Sequence, residues 1–177
     1  MAELGIEIVQ YDDRWSEEFH SIKRVLSIAL KDVIIWIEHV GSTSIPGLGA
    51  KPVLDIDIVI ESYDVFHSVI LQLEQIGYFH QKEWSFEGRE AFGRKNLLTP
   101  WDGKGTQWMA HHLYVCHKDS KELARHLAFR DYMRDNPQAV IEYEQIKRRL
   151  ANTVTSRDSY TEGKTEFINR ILRKGML

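Results

Sequence analysis

Two stretches, His39-Val40-Gly41-Ser42-Thr43-Ser44 and, one loop later, Val53-Leu54-Asp55-Ile56-Asp57-Ile58-Val59-Ile60, decide how this chain folds. The second alternates with period two, so Asp55 and Asp57 project from one face of a strand and Leu54, Ile56, Ile58 and Ile60 from the other. Two like charges side by side on a buried strand repel one another and lose hydration, and a divalent cation relieves both penalties. Gly41 and Ser42 present a tight, small-residue surface where backbone N–H groups meet phosphate oxygens. The combination points to metal-assisted phosphoryl or nucleotidyl transfer.

Working outward, Val33 to Val40 is β-rich and reads as the first core strand, and Gly41 to Pro52 is a loop broken by glycine and proline. Before it, Asp12 or Asp13 caps a helix in which Trp15, Phe19, Ile22, Leu26 and Ala29 recur at helical spacing. After it, Tyr63 to Ile76 repeats apolar residues as a helix stopped by Gly77. Shorter strands are expected at Tyr78 to Trp84 and Glu87 to Phe92. Gly93 to Gln107 is long for a connection in a compact domain and reads as a binding loop or lid. Trp108 to Cys116 is the last strand. Three helices follow, over Lys118 to Asn136, Gln138 to Asn152 and Gly163 to Leu172. The plan is α+β: a mixed β-sheet with flanking helices, then a helical section over 118–177, all within a single domain over 1–177.

The bulk properties narrow the function classes. A chain of 177 residues, 43% hydrophobic and 28% charged, buries about two thirds of its unfolded surface as one globular unit. A formal charge of -3 and a pI near 6.2 argue against an extended nucleic-acid surface and leave room only for a local basic groove. The one cysteine, Cys116, suits a reducing compartment and reads as a buried structural thiol. No apolar run reaches about 18 residues and no signal peptide opens the chain, so a cytoplasmic protein without a membrane partner is expected.

Beyond the two aspartates, His112 shares a strand face with Tyr114, while His111, Leu113 and Val115 share the other. His112 is therefore a candidate third metal ligand, phosphate donor or general base, set against a histidine satisfied by backbone partners; His111 reads as structural. Lys51, at the start of the aspartate strand, either neutralises a phosphate or faces solvent. Arg125, Arg130, Arg134 and Lys147-Arg148-Arg149 alternate with acids and read mostly as a mixed solvated face. Arg130 either touches substrate or braces the helices against the sheet, and Lys147 and Lys164 are weaker candidates of the same kind. Trp101 and Trp108 border the long loop, either to stack on a base or to pack.

Several separated motifs agree in order with one family. Ile37-Glu38-His39-Val40-Gly41-Ser42-Thr43-Ser44-Ile45-Pro46-Gly47-Leu48 and Lys51-Pro52-Val53-Leu54-Asp55-Ile56 come first. His112-Leu113, the run Leu127 to Arg134, Tyr143, Lys147, Tyr160, Gly163-Lys164 and Phe167-Ile168 follow. From Tyr11 to Ile171 the chain resembles the GrpB family, a group classed with nucleotidyltransferase-fold proteins. The resemblance implies a nucleotidyltransferase-like fold in which Gly41-Ser42 is the turn that meets a triphosphate and Asp55 and Asp57 hold the metal. The wider superfamily carries a third acidic residue on a later strand. The GrpB pattern resembles His-x-His there, and this chain departs from it with His112-Leu113-Tyr114. Related domains also occur joined to dephospho-coenzyme A kinase.

The expected activity is transfer of a nucleoside monophosphate from a nucleoside triphosphate to a small-molecule acceptor, with Mg²⁺ or Mn²⁺ as cofactor. Asp55, Asp57 and His112 are the expected catalytic and metal-binding residues. Gly41, Ser42, Thr43, Lys51 and Arg130 are the expected nucleotide contacts. The alternatives are a noncatalytic nucleotide- or coenzyme A-binding module, and a hydrolase with water as acceptor.

Overall fold

The computed structural model describes residues 5–176. Helix α1 (Arg14–Leu30) buries Trp15, Phe19, Ile22, Leu26 and Leu30 along one stripe. Strand β1 (Trp36–Val40) leads through a single 3-10 turn at Ser42–Ser44 to β2 (Leu54–Ile60). Helix α2 (Phe66–Gln75) returns the chain to β3 (Tyr78–His80), β4 (Glu90–Arg94) and β5 (His111–His117). Helices α3 (Lys121–Asp135), α4 (Pro137–Thr153) and α5 (Arg157–Gly175) complete the chain. The architecture is a mixed α+β sheet with flanking helices.

The strand order is β1-β2-β5-β4-β3. β2 and β5 run parallel at the centre, and every other neighbouring pair is antiparallel. Their register sets Asp55 opposite His112 and Asp57 opposite Tyr114. Leu54, Ile56, Ile58 and Ile60 pack with Leu113 and Val115 beneath α1 and α2. Each such aliphatic side chain contributes about 1.5–3 kcal/mol when fully buried. Slipping β2 by one residue would drive both aspartates into that layer, so the apolar face fixes which side carries the carboxylates.

The carboxylate face is roofed by the C-terminal helices. Leu123 of α3 covers Val59 and Cys116. Ile45 and Leu48, in the loop after β1, anchor a second core of Met133, Val140, Tyr143, Phe167 and Ile171. Cys116 is buried, and its burial raises the thiol pKa.

Several boundaries differ from the sequence reading. The strand expected over Tyr78 to Trp84 ends at His80 and gives way to a 3-10 turn, Lys82–Trp84. Its partner, expected at Glu87 to Phe92, is Glu90–Arg94, because residues 86–89 form the hairpin turn. α5 begins at Arg157, ahead of the expected Gly163, because Ser156 caps it by accepting from Ser159 N. Gly163 lies inside that helix where the Leu150 side chain leaves no room for a Cβ, so it is a packing glycine. The expected lid is latched instead. Arg94 donates to the carbonyls of Leu97, Thr99, Trp108 and Met109, and Trp108 Nε1 donates to Pro100 O at 2.7 Å. Among the described residues, no helix is long and apolar enough to cross a membrane.

Candidate active site

The two aspartates of β2 occupy unequal environments. Asp57 is wholly buried, and Asp55 is partly open. Each is held by one histidine. His112 Nδ1 donates to Asp55 Oδ1 at 3.0 Å, and His126 Nδ1 of α3 donates to Asp57 Oδ2 at 2.6 Å. The hydrogen bond to Asp55 raises the His112 pKa. Burial lowers that of His126, but the bond to Asp57 and the charges of Asp57 and Glu122 outweigh it, and the net shift is upward.

Asp57 Oδ1 is buried with no hydrogen-bond partner. Beside the pair, Gly41 has φ 72°, and a Cβ there would overlap the Asp55 carboxylate, so glycine is required for both conformation and close approach. An orphaned carboxylate oxygen next to a second carboxylate fits a hard divalent cation. Among the described residues no group of three or more His, Cys, Asp and Glu side chains is arranged to hold one. Mg²⁺ ordinarily takes one or two carboxylates and completes its shell with substrate phosphates and water, so this donor set suits an ion that arrives with a nucleotide.

A cavity of about 210 Å³ opens from Asp55 and His112 toward the helices. Three lysines from three elements converge on it: Lys51 before β2, Lys147 on α4 and Lys164 on α5, with Tyr160 among them. The Tyr160 ring centroid is 4.7 Å from Lys51 Nζ and 4.4 Å from Lys164 Nζ. Burial and the neighbouring Lys164 push the Lys147 pKa down to about 7. Burial and Lys51 push Lys164 down to about 8. Lys51 is lowered as well, by burial and Arg157. Buried cations that repel one another beside a serine make a site for an anion.

A second cavity, of about 460 Å³, continues along the same strands and shares Ser42, Asp55 and Lys164 with the first. Where the first meets His112 of β5, the second meets Tyr114. Glu122, Arg125 and His126 of α3 form one wall and Arg89 another. A larger, more open cavity of about 970 Å³ lies beside Gln10–Trp15, Trp108 and Met109 and is lined by neither Asp55 nor Asp57.

The expected site residues thus separate. Asp55, His112, Ser42 and Lys51 line the lysine cavity, and Gly41 backs Asp55. Thr43 is turned inward, its hydroxyl 2.9 Å from His39 Nε2. Arg130 lies outside both cavities. Its Nη1 reaches Glu38 Oε2 at 2.5 Å and donates to His39 O at 3.0 Å, so it ties α3 to β1. Neither Trp101 nor Trp108 lines the two cavities at Asp55. His111 is structural: Nδ1 donates to Met109 O at 2.9 Å, and Nε2 accepts from the Tyr78 hydroxyl at 2.7 Å.

The basic residues read as a solvated face are largely engaged. Arg134 Nε donates to Ser44 O at 2.9 Å, Arg148 is paired with Glu144, and Lys147 is 2% exposed. His126, Glu122 and Arg89 were not among the sequence candidates. The signal for the first two is helical: Glu122, His126, Arg130 and Arg134 recur every four residues and form the polar stripe by which α3 meets the site, β1 and the loop after β1.

A family model described as GrpB protein matches residues 5–174. The UPF0157 protein YqkA of Bacillus subtilis is 34% identical over 92% of this chain, which spans 45% of that protein's length. The crystal structure of the conserved protein GrpB from Enterococcus faecalis superimposes with a TM-score of 0.78 at 31% identity, over 96% of each chain. The MgGTP-bound Cid1 poly(U) polymerase superimposes with a TM-score of 0.53 at 13% identity, covering 87% of this chain and 50% of that one. That last similarity is one of fold.

Proposed function

The chain belongs to the GrpB family, and from that premise we propose that it transfers a nucleoside monophosphate from a nucleoside triphosphate to a small-molecule acceptor. One observation carries the reading: Asp55, which shares a face of the central strand with the buried Asp57, opens onto a cavity where three lysines converge. Asp55 and Asp57 are the residues that would hold Mg²⁺ or Mn²⁺. When bound, the ion neutralises charge as the attacking and leaving oxygens exchange at the α-phosphorus.

The chain's own groups do the rest. Lys51, Lys147 and Lys164 grip the terminal phosphates and offset the charge of departing pyrophosphate, and Ser42 orients the phosphate nearest Asp55. His112, its Nδ1 held by Asp55 in the lysine cavity, keeps Nε2 free to donate to a phosphate oxygen on the leaving side. The acceptor oxygen bonds to the α-phosphorus, its proton passes to solvent, and the bond to the pyrophosphate oxygen breaks.

The test is calorimetry with ATP, GTP, CTP and UTP, with and without Mn²⁺, on the wild type and Asp57→Asn. Metal-dependent binding that the variant loses supports the reading. Metal-independent binding that the variant keeps overturns it, and binding without pyrophosphate release across an acceptor panel makes the protein a noncatalytic module.

A further inference from the structure

Arg89 stands apart from Arg125, the other arginine of the second cavity. None of the ion pairs among the described residues includes it. Arg125, which lines the same cavity, is paired with Glu122 at 3.6 Å, and Glu122 also lies 3.7 Å from His126. The Arg89 guanidinium is instead held by two aromatic rings, its carbon 4.3 Å from the Phe86 centroid and 4.2 Å from that of Tyr114. Its Nη2 donates to Trp84 O at 3.3 Å, while Nε is buried without a partner.

The backbone under it is equally constrained. Phe86 and Arg89 bond to each other across a tight turn, and Gly88 has φ 90°. A Cβ on Gly88 would press on Ser120, the residue that caps α3, so the turn sits against the start of that helix. An arginine fixed by stacking and unpaired with any carboxylate is preorganised for an anion, and little further ordering is needed on binding.

Its position decides which anion. In an in-line displacement the attacking and leaving oxygens lie on opposite sides of the phosphorus. With pyrophosphate leaving toward the three lysines and the α-phosphorus at Asp55, the attacking oxygen must come from the far side of Asp55. Along β2 and β5 that side is the second cavity, with Tyr114, His126 and Arg89 in its walls. We propose that this cavity binds the acceptor and that Arg89 receives an anionic group on it, making the acceptor a small alcohol that carries a phosphate or carboxylate. The proposal rests on the nucleotidyl-transfer reading.

The experiment loads the wild type with Mn²⁺ and a non-hydrolysable analogue of the triphosphate that binds best. Glycerol 3-phosphate, glycerate and glycerol are then titrated by calorimetry into the wild type, Arg89→Ala and Arg89→Lys. At least one anion is expected to bind the wild type with one-to-one stoichiometry, and glycerol is not; which anion binds separates phosphate from carboxylate. Arg89→Ala should weaken that binding by about tenfold or more, as loss of a charge-assisted contact does. Arg89→Lys, which keeps charge but not the planar stack, should fall between. Affinity for the analogue should not change in either variant. Equal anion binding by Arg89→Ala overturns the proposal, as does failure of both anions to bind the loaded protein. Loss of analogue binding in Arg89→Ala also overturns it, because the cavity then holds the nucleoside. If the analogue does not bind the wild type, the nucleotide reading itself fails, and this assignment falls with it.

Discussion

On β2, Asp55 and Asp57 stand two positions apart on a rigid central strand; across the cavity, Lys147 and Lys164 are delivered by two different helices. The acidic wall is made by local geometry: alternation puts both carboxylates on one face, and each has its own histidine donor. The basic wall is made by tertiary packing and is left in electrostatic conflict, with burial and mutual repulsion lowering its lysine pKa values. Removing a charge should therefore have opposite consequences for stability on the two walls. Function should suffer on both.

The largest effect belongs to the acidic wall. Asp57→Asn should reduce metal-dependent nucleotide affinity by on the order of 100-fold or more. It should also lower Tm, because His126 loses a charged acceptor at a fully buried position. Calorimetry and thermal melting read the two effects separately. Retained metal-dependent binding would break the comparison by showing that the carboxylate pair is structural.

Lys147→Met should reduce triphosphate affinity by about tenfold or more while raising Tm, since a buried, crowded ammonium is replaced by an apolar chain of similar length. A fall in Tm would place Lys147 in a stabilising network and remove the contrast between the walls.

The same conflict carries a pH signature. A lysine whose folded pKa lies below its ordinary 10.5 destabilises the fold as it is forced to charge: the penalty is absent above pH 10.5, grows as pH falls, and is complete below the folded pKa, about 7 for Lys147 and about 8 for Lys164. A bound polyanion favours the charged forms and raises both values. At pH 8, triphosphate binding should take up on the order of one proton, seen as a dependence of the calorimetric heat on buffer ionisation enthalpy. Lys147→Met should reduce the uptake. No uptake would mean that the phosphates sit elsewhere.

These contrasts also explain what was legible in the sequence. β2 and α1 announce themselves because one period and one face decide their packing. α3 has almost no amphipathic bias, because its inward positions include His126 and Arg130 as well as Leu123 and Met133. A charged stripe of that kind reads as solvent-facing until a partner such as Asp57 is known to lie beneath it. Lys147 and Lys164 belong to separate helices, so no local spacing links them. Arg89 is placed by a hairpin turn whose contacts with Tyr114 and Ser120 are remote in sequence. The Leu150 side chain that packs against Gly163 inside α5 is likewise invisible to local rules.

The smallest expected effect on function divides two adjacent residues that the sequence reading treats alike. Ser42 lines both cavities at Asp55, whereas the Thr43 hydroxyl is spent on His39, which burial and Arg134 hold near a pKa of about 4. Ser42→Ala should therefore weaken triphosphate binding by a few fold and leave Tm unchanged, since a single hydrogen bond contributes about 1 kcal/mol. Thr43→Val keeps the shape but leaves buried His39 Nε2 without its partner, so it should cost about 1–3 kcal/mol of stability with triphosphate affinity intact. Denaturant titration and calorimetry on the pair test the division directly. If Thr43→Val weakens binding as much as Ser42→Ala does, the turn after β1 acts as one phosphate-binding unit, and His39 is there to position it.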